Sequence, residues 1–275
     1  MKLEDVQPRH CYARAQTLLA AITAIRDELG RSEDTRPVPE ITDAKPRECY
    51  FEALATWEKT ERLAAELGAP AARFPHAAPP LTDTVPGHVL QVIDAVAARV
   101  DAIRTHLGIS ERPTEAPVDA NRQPSDVLAT LIRINRELSR ALERPFAPSD
   151  VYRVVALAST YVARLGGTAG PAPFERQRKP AHCYQRLAAC HQALAAAIQK
   201  RGHAALSARG VPADVLPGDV YDLASLVLGE LTYLHAITQS AAAVHPFEPL
   251  ATGYRLPAHV DQLARTLEAQ ISAIG

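Results

Sequence analysis

Residues 86–106 read PGHVLQVIDAVAARVDAIRTH, and this stretch decides the fold. Counted from Pro86 as zero, apolar residues fall at +3, +7, +10, +14 and +17: Val89, Ile93, Val96, Val100 and Ile103. Steps of four, three, four and three trace one stripe along an α-helix, the seam of a helix packed among near-parallel neighbours. A strand would alternate, and no segment does so over any length. Proline suits the first helical position, because its φ is already helical and its missing N–H would have been unpaired there anyway. His88 then falls at N3, where a side-chain acceptor can reach back to the N-cap amide. Gly108 falls where a left-handed cap would stop the helix.

The phrase recurs eight times, as Pro-x-(Asp/Glu/His)-(Val/Cys) at Pro8, Pro46, Pro86, Pro124, Pro148, Pro180, Pro217 and Pro257. The N3 slot holds His10, Glu48, His88, Asp126, Asp150, His182, Asp219 and His259. Gly30, Gly68 and Gly202 stand where Gly108 does. Each copy predicts a helix of about 20–23 residues, roughly 30–35 Å long. The copies also pair at long range: Lys45-Pro46-Arg47-Glu48-Cys49-Tyr50 matches Lys179-Pro180-Ala181-His182-Cys183-Tyr184. Pro86-Gly87-His88-Val89 likewise matches Pro217-Gly218-Asp219-Val220. The expected fold is therefore all-α: eight long helices as two tandem, duplicated four-helix units, residues 1–145 and 146–275. The join falls near Arg144-Pro145-Phe146-Ala147, the shortest connection, which should run the fourth helix closely into the fifth. The other connections are about 12 to 17 residues, rich in Pro, Ala and Thr, as in 69–85 and 240–256. Up-down antiparallel order is the expectation for a bundle, although loops this long could return along a helix and set neighbours parallel.

Composition narrows the function classes. Net charge is −1, hydrophobic content 47% and aromatic content only 5%, so alanine-rich seams suit a slender bundle. No basic block would neutralise a phosphate backbone, which argues against nucleic acid as a partner. Charge interrupts every apolar run before the roughly 18 residues that a membrane span needs. The first 30 residues read as a helix, without a basic-then-apolar signal segment. A cytoplasmic protein fits, and so does an exported chain without its leader.

Cys11, Cys49 and Cys183 occupy the +3 seam position where the other copies use valine, and Cys190 lies on the seam at +10. Exchange with valine marks these thiols as small buried hydrophobes. Metal, covalent-haem, P-loop and nucleophile-elbow motifs are absent, so no catalytic residue, metal ligand or cofactor is assigned. The four N3 histidines share their slot with acids, which argues for capping over ligation.

Two rows break the pattern. The +4 row carries Tyr12, Tyr50, Tyr152, Tyr184 and Tyr221, an expected aromatic layer near the helix starts and a candidate pocket mouth. The +11 row is mixed, carrying Trp57, Asn135 and His191 beside Leu19, Ala97, Ser159, Leu228 and Glu268. A solvent-facing helix edge explains that row, and with Arg133 and Arg136 beside it Asn135 could otherwise receive an anion. The leading functional expectation is a non-catalytic binding or scaffold protein, engaging a protein partner or small ligand through a groove between helices or units. One alternative is a ligand sensor, exported or not, with an aromatic-lined pocket of Trp57 and the tyrosines. The other is a metal protein or enzyme using His191 with Cys190 or Cys183.

Overall fold

The computed structural model describes residues 2–79, 81–144, 146–208, 211–212, 214–238 and 253–275, with backbone alone at 207–208. Pro145 at the expected join and residues 240–252 of the expected last loop lie outside them. Eight helices are present among the described residues, and each begins on its proline. They are α1 Pro8–Glu28, α2 Pro46–Glu66, α3 Pro86–His106, α4 Pro124–Ala141, α5 Pro148–Arg164, α6 Pro180–Lys200, α7 Pro217–Thr238 and α8 Pro257–Ile274. Other regular structure is confined to 3-10 turns at Leu3–Asp5 and Leu81–Asp83 and two-residue extended stretches at Ile41–Thr42 and Ser207–Ala208. The chain is an all-helical bundle protein.

The ends form as the phrase predicts. All eight N3 side chains accept the N–H of their own N-cap residue: Gln7 to His10 Nδ1 at 3.1 Å, Lys45 to Glu48 Oε2 at 2.6 Å, and Val85 to His88 Nδ1 at 3.1 Å. Asp126, Asp150, His182, Asp219 and His259 do the same at 2.8–3.0 Å. Acceptance at Nδ1 fixes each neutral histidine as the Nε2–H tautomer. At the other end Gly30, Gly68, Gly108, Gly166 and Gly202 all take positive φ, between 64° and 88°. The Gly30 N–H donates to Asp27 O and the Arg31 N–H to Arg26 O, the paired bonds of a Schellman stop.

The chain divides into two compact units, Met1–Pro145 and Phe146–Gly275. In unit 1, α1 packs on α3 and α4, and α2 packs on the same two helices, so the order around the ring is α1-α3-α2-α4. In unit 2, α5 packs on α7 and α8, and α6 on the same two. The expectation of antiparallel order is corrected here. All four helices of each unit are parallel: Pro8, Pro46, Pro86 and Pro124 surround one cavity, and Pro148, Pro180, Pro217 and Pro257 surround another. Contacts further along agree, as where Arg26 near the end of α1 meets Glu137 near the end of α4 at 2.5 Å.

Parallel order works because the connections run back along the bundle. A 21-residue helix is about 32 Å long, and the 17 residues of 29–45 can span roughly 55 Å. Helix side chains hold these return segments. Arg136 donates to the carbonyls of Arg36 (3.2 Å) and Pro37 (3.0 Å). Arg99 donates to Pro70 O at 2.5 Å, and Arg265 to Pro173 O. The Ala116 N–H donates to Thr17 Oγ1 at 3.0 Å, and the Ala172 N–H to Thr266 Oγ1 at the same distance. A carbonyl in a proline-rich strand has no ladder partner, so an arginine fork on the neighbouring helix satisfies it.

Candidate functional site

Parallel order brings four helix starts together at one end of each unit. There the +3 residues, one from each helix, converge beneath a ring of four prolines. In unit 1 the resulting funnel is lined by Pro8, Pro46, Pro86 and Pro124 and, below them, by Cys11, Cys49, Val89 and Val127; its cavity volume is only about 10 Å³. In unit 2 the lining is Pro148, Pro180, Pro217 and Pro257 over Val151, Cys183, Val220 and Val260, and the cavity volume is about 90 Å³. One seam residue distinguishes the rings, Cys11 in the first and Val151 in the second. Valine is the larger side chain, so the greater volume does not come from the lining residues. Both cavities are smaller than the range of about 300–1,000 Å³ common for small-molecule pockets.

The lining offers a ligand no free polar group. The Cys183 thiol already donates to Pro257 O at 3.2 Å, and burial pushes its pKa up to about 12. Cys11 and Cys49 donate to Pro86 O and Pro124 O, each at 3.2 Å, and burial raises both. Cys190 donates to Ala264 O at 3.3 Å and is likewise raised by burial. All four thiols are free, buried and protonated at neutral pH, so none is a ready nucleophile. Cys11→Val and Cys183→Val are therefore expected to change stability by less than about 1 kcal/mol, the loss of a weak S–H donor being offset by valine burial. Chemical denaturation of the two variants measures this.

The tyrosines of the +4 row do not line either funnel. Each is covered on the flank of its helix. The Arg122 guanidinium lies 4.5 Å over the Tyr12 ring, and Arg255 lies 4.5 Å over Tyr152. Phe146 stacks on Tyr221 with centroids 4.2 Å apart. Tyr50 is buried edge-on to Phe51, and Tyr184 is half-buried. Trp57 meets Phe74 of the return segment edge-on at 5.3 Å. None of these residues lines either proline-ringed funnel, and Tyr12, Tyr152, Tyr221 and Trp57 pack on residues of the connecting segments.

The solvent-edge reading of the +11 row also needs correction. Asn135 has no exposure, and its Nδ2 donates to Glu52 Oε1 at 2.6 Å across the α2–α4 interface. Lys59, equally buried, donates to Asn135 O at 3.0 Å and to Ser139 Oγ at 2.9 Å. Thr56 and Thr60 sit buried on the adjoining α2 seam, each donating to the carbonyl four residues back. Glu52 and Lys59 hold the g positions of α2 and Asn135 the e position of α4, the flanking pair of a parallel coiled coil. Arg136 is buried on return-segment carbonyls, while Arg133 faces water beside Glu33. His191 is buried in unit 2, and desolvation lowers its pKa to about 4, so it is neutral at physiological pH. It lines neither funnel. Among the described residues no three His, Cys, Asp or Glu side chains converge as metal ligands, and no helix is long and apolar enough to cross a membrane.

The residues that do form the cavity, the +3 valines and cysteine with their prolines, read in sequence as ordinary seam. The available signal was their equivalence, since identical positions on parallel helices must meet on one axis. No family model matches the chain, and neither a curated protein nor a solved structure matches it significantly.

Proposed function

We propose that this is a non-catalytic binding protein that takes a small apolar ligand in the proline-ringed funnel of unit 2. One observation carries the reading: an apolar cavity of about 90 Å³ stands open beneath the helix starts of unit 2, with buried side chains along the seam below. Close packing leaves few voids larger than a water molecule, and an apolar cavity of about 150 Å³, of the same order, binds benzene. Equivalent neighbour patterns in α1–α4 and α5–α8, with the sequence matches between them, support descent of both units from one duplicated four-helix ancestor. On that reading, unit 1 kept the narrower funnel and unit 2 the wider one, with buried polar side chains on the helix flanks of both. The test is ligand titration of the full chain with ¹³C-methyl-labelled valine. Benzene or 1-hexanol is expected to shift the Val151, Val220 and Val260 methyls and leave Val100 unmoved. Absence of any shift at those three up to the solubility limit of both probes would remove the reading.

A further inference from the structure

We infer that the histidine-started helices form an acid-released latch: protonation of His10, His88, His182 and His259 loosens the first turns of α1, α3, α6 and α8 and leaves the other four helix starts closed. Each of these imidazoles accepts the N–H of its own N-cap residue at Nδ1, at 2.9–3.1 Å, and so carries its proton on Nε2. An imidazolium has a proton on both nitrogens and nothing left to accept with. Its Nδ1–H would face the N-cap N–H that the neutral ring receives, and its charge would sit at the positive end of the helix. Imidazoles change charge near pH 6.5 and carboxylates near pH 4. The other four helices carry the second kind: Glu48, Asp126, Asp150 and Asp219 hold their N-cap N–H groups at 2.6–2.8 Å.

The two kinds of start are sorted in space. In unit 1 the histidine helices α1 and α3 pack on each other, as do the acid helices α2 and α4. In unit 2 α6 packs on α8, and α5 on α7. Each proline ring therefore has a histidine side and an acid side. Charged groups on the adjoining turns of unit 1 are Glu4, Asp5, Arg47, Glu48, Arg122 and Asp126. Arg47 is paired with Glu48 at 2.7 Å, and Arg122 with Asp119 at 2.8 Å. Those of unit 2 are Asp150, Arg178, Lys179, Asp219 and Arg255. Among the described residues no carboxylate lies within ion-pair distance of any of the four imidazoles, so no partner rewards the added charge. Two other histidines behave differently. His106 Nε2 lies 3.0 Å from Leu67 O, a bond that an imidazolium keeps, and His191 stays neutral in the same window because burial lowers it to about 4.

The experiment follows the backbone amides of the full chain by NMR between about pH 7.5 and about pH 5, the interval in which imidazoles titrate and carboxylates do not. The N-cap amides of Gln7, Val85, Lys179 and Leu256 are expected to shift in step with their own imidazoles and to lose about fivefold in exchange protection, the equivalent of one cap. Those of Lys45, Gln123, Ala147 and Leu216 are expected to hold. A second measurement reads unit 1 alone. Acidification is expected to lower the melting temperature reported by Trp57, and His10→Gln combined with His88→Gln, whose amide oxygens accept at both pH values, is expected to recover about 5 °C or more of that loss. Imidazoles that titrate while their N-cap amides stay in place are ordinary surface histidines, and that result overturns the inference. An acid loss of the same size in the doubly substituted chain overturns it as well, and so does movement of all eight N-cap amides together.

Discussion

Val100→Asp is expected to abolish the cooperative unfolding of unit 1 while that of unit 2 persists, and Leu231→Asp is expected to do the reverse. Both side chains are fully buried. Val100 shares its layer with Ile22, Thr60 and Leu138, and Leu231 shares its own with Val162, Leu194 and Ile271. Neither layer offers a carboxylate a donor. The single hydroxyl among these neighbours, on Thr60, already donates to Thr56 O at 2.8 Å. An aspartate there either stays charged without a partner or takes up a proton and remains unsatisfied, at a cost of several kcal/mol in addition to the lost valine or leucine packing. Set against a domain stability of about 5–15 kcal/mol, that is enough to unfold one unit. Trp57 is the sole tryptophan and lies in α2, so its fluorescence reports unit 1 while far-UV ellipticity reports both. In Val100→Asp the fluorescence transition should vanish and part of the ellipticity transition remain. In Leu231→Asp the fluorescence transition should survive. Near-wild-type melting of both variants would mean that the stripe is not the seam, and loss of both transitions in either would mean that the units do not fold separately.

Helix starts, stops and seam were legible because each depends on residues within a few positions of one another. Pro86 sets the first φ, His88 closes the N-cap, Gly108 takes the positive φ of the stop, and the interval between Val89 and Ile103 fixes the buried stripe. Helix direction was not legible in that pattern, since a heptad stripe reads the same in parallel and antiparallel bundles. The clue lay in loop length: the segment 29–45 can span more than the helix it follows, and Arg136 and Arg99 stand ready for its carbonyls and for those of the segment after α2. Direction then decides where the cavity lies. Antiparallel helices would have alternated starts and stops at each end, and the four prolines would never have met. Asn135 was misread for a related reason. Its neighbours in sequence describe a mixed helix edge, whereas the contacts that bury it come from α2, some eighty residues away. The difference between cavities of about 10 and 90 Å³ leaves no trace in their nearly identical linings.

Lys59→Met is expected to destabilise unit 1 by about 3 kcal/mol or more, as a loss of one member of a buried charged network. The side chain has no exposure, and its ammonium is held by Asn135 O and Ser139 Oγ. Methionine nearly preserves the volume, so the effect isolates the polar group from packing. What remains is the Glu52 carboxylate, buried at 4% exposure and bonded to Asn135, on a helix edge that has lost the Lys59 ammonium. The tryptophan-reported transition should move, because Lys59 lies two residues from Trp57 on the same helix. Adding Glu52→Leu should recover much of the loss, since removing both charges from a buried site is far less costly than removing one. A full double-mutant cycle measures this coupling. A merely space-filling lysine would give single-variant losses that add, whereas a buried ionic seam gives a double variant more stable than Lys59→Met alone. The unit 2 residues equivalent to Glu52 and Asn135, Arg186 and Glu268, lie 3.7 Å apart at 44% and 32% side-chain exposure, where solvent screening leaves about 1 kcal/mol or less. The same g and e positions therefore carry stability in one unit and little in the other, because the unit 1 pair is buried and the unit 2 pair is half-exposed.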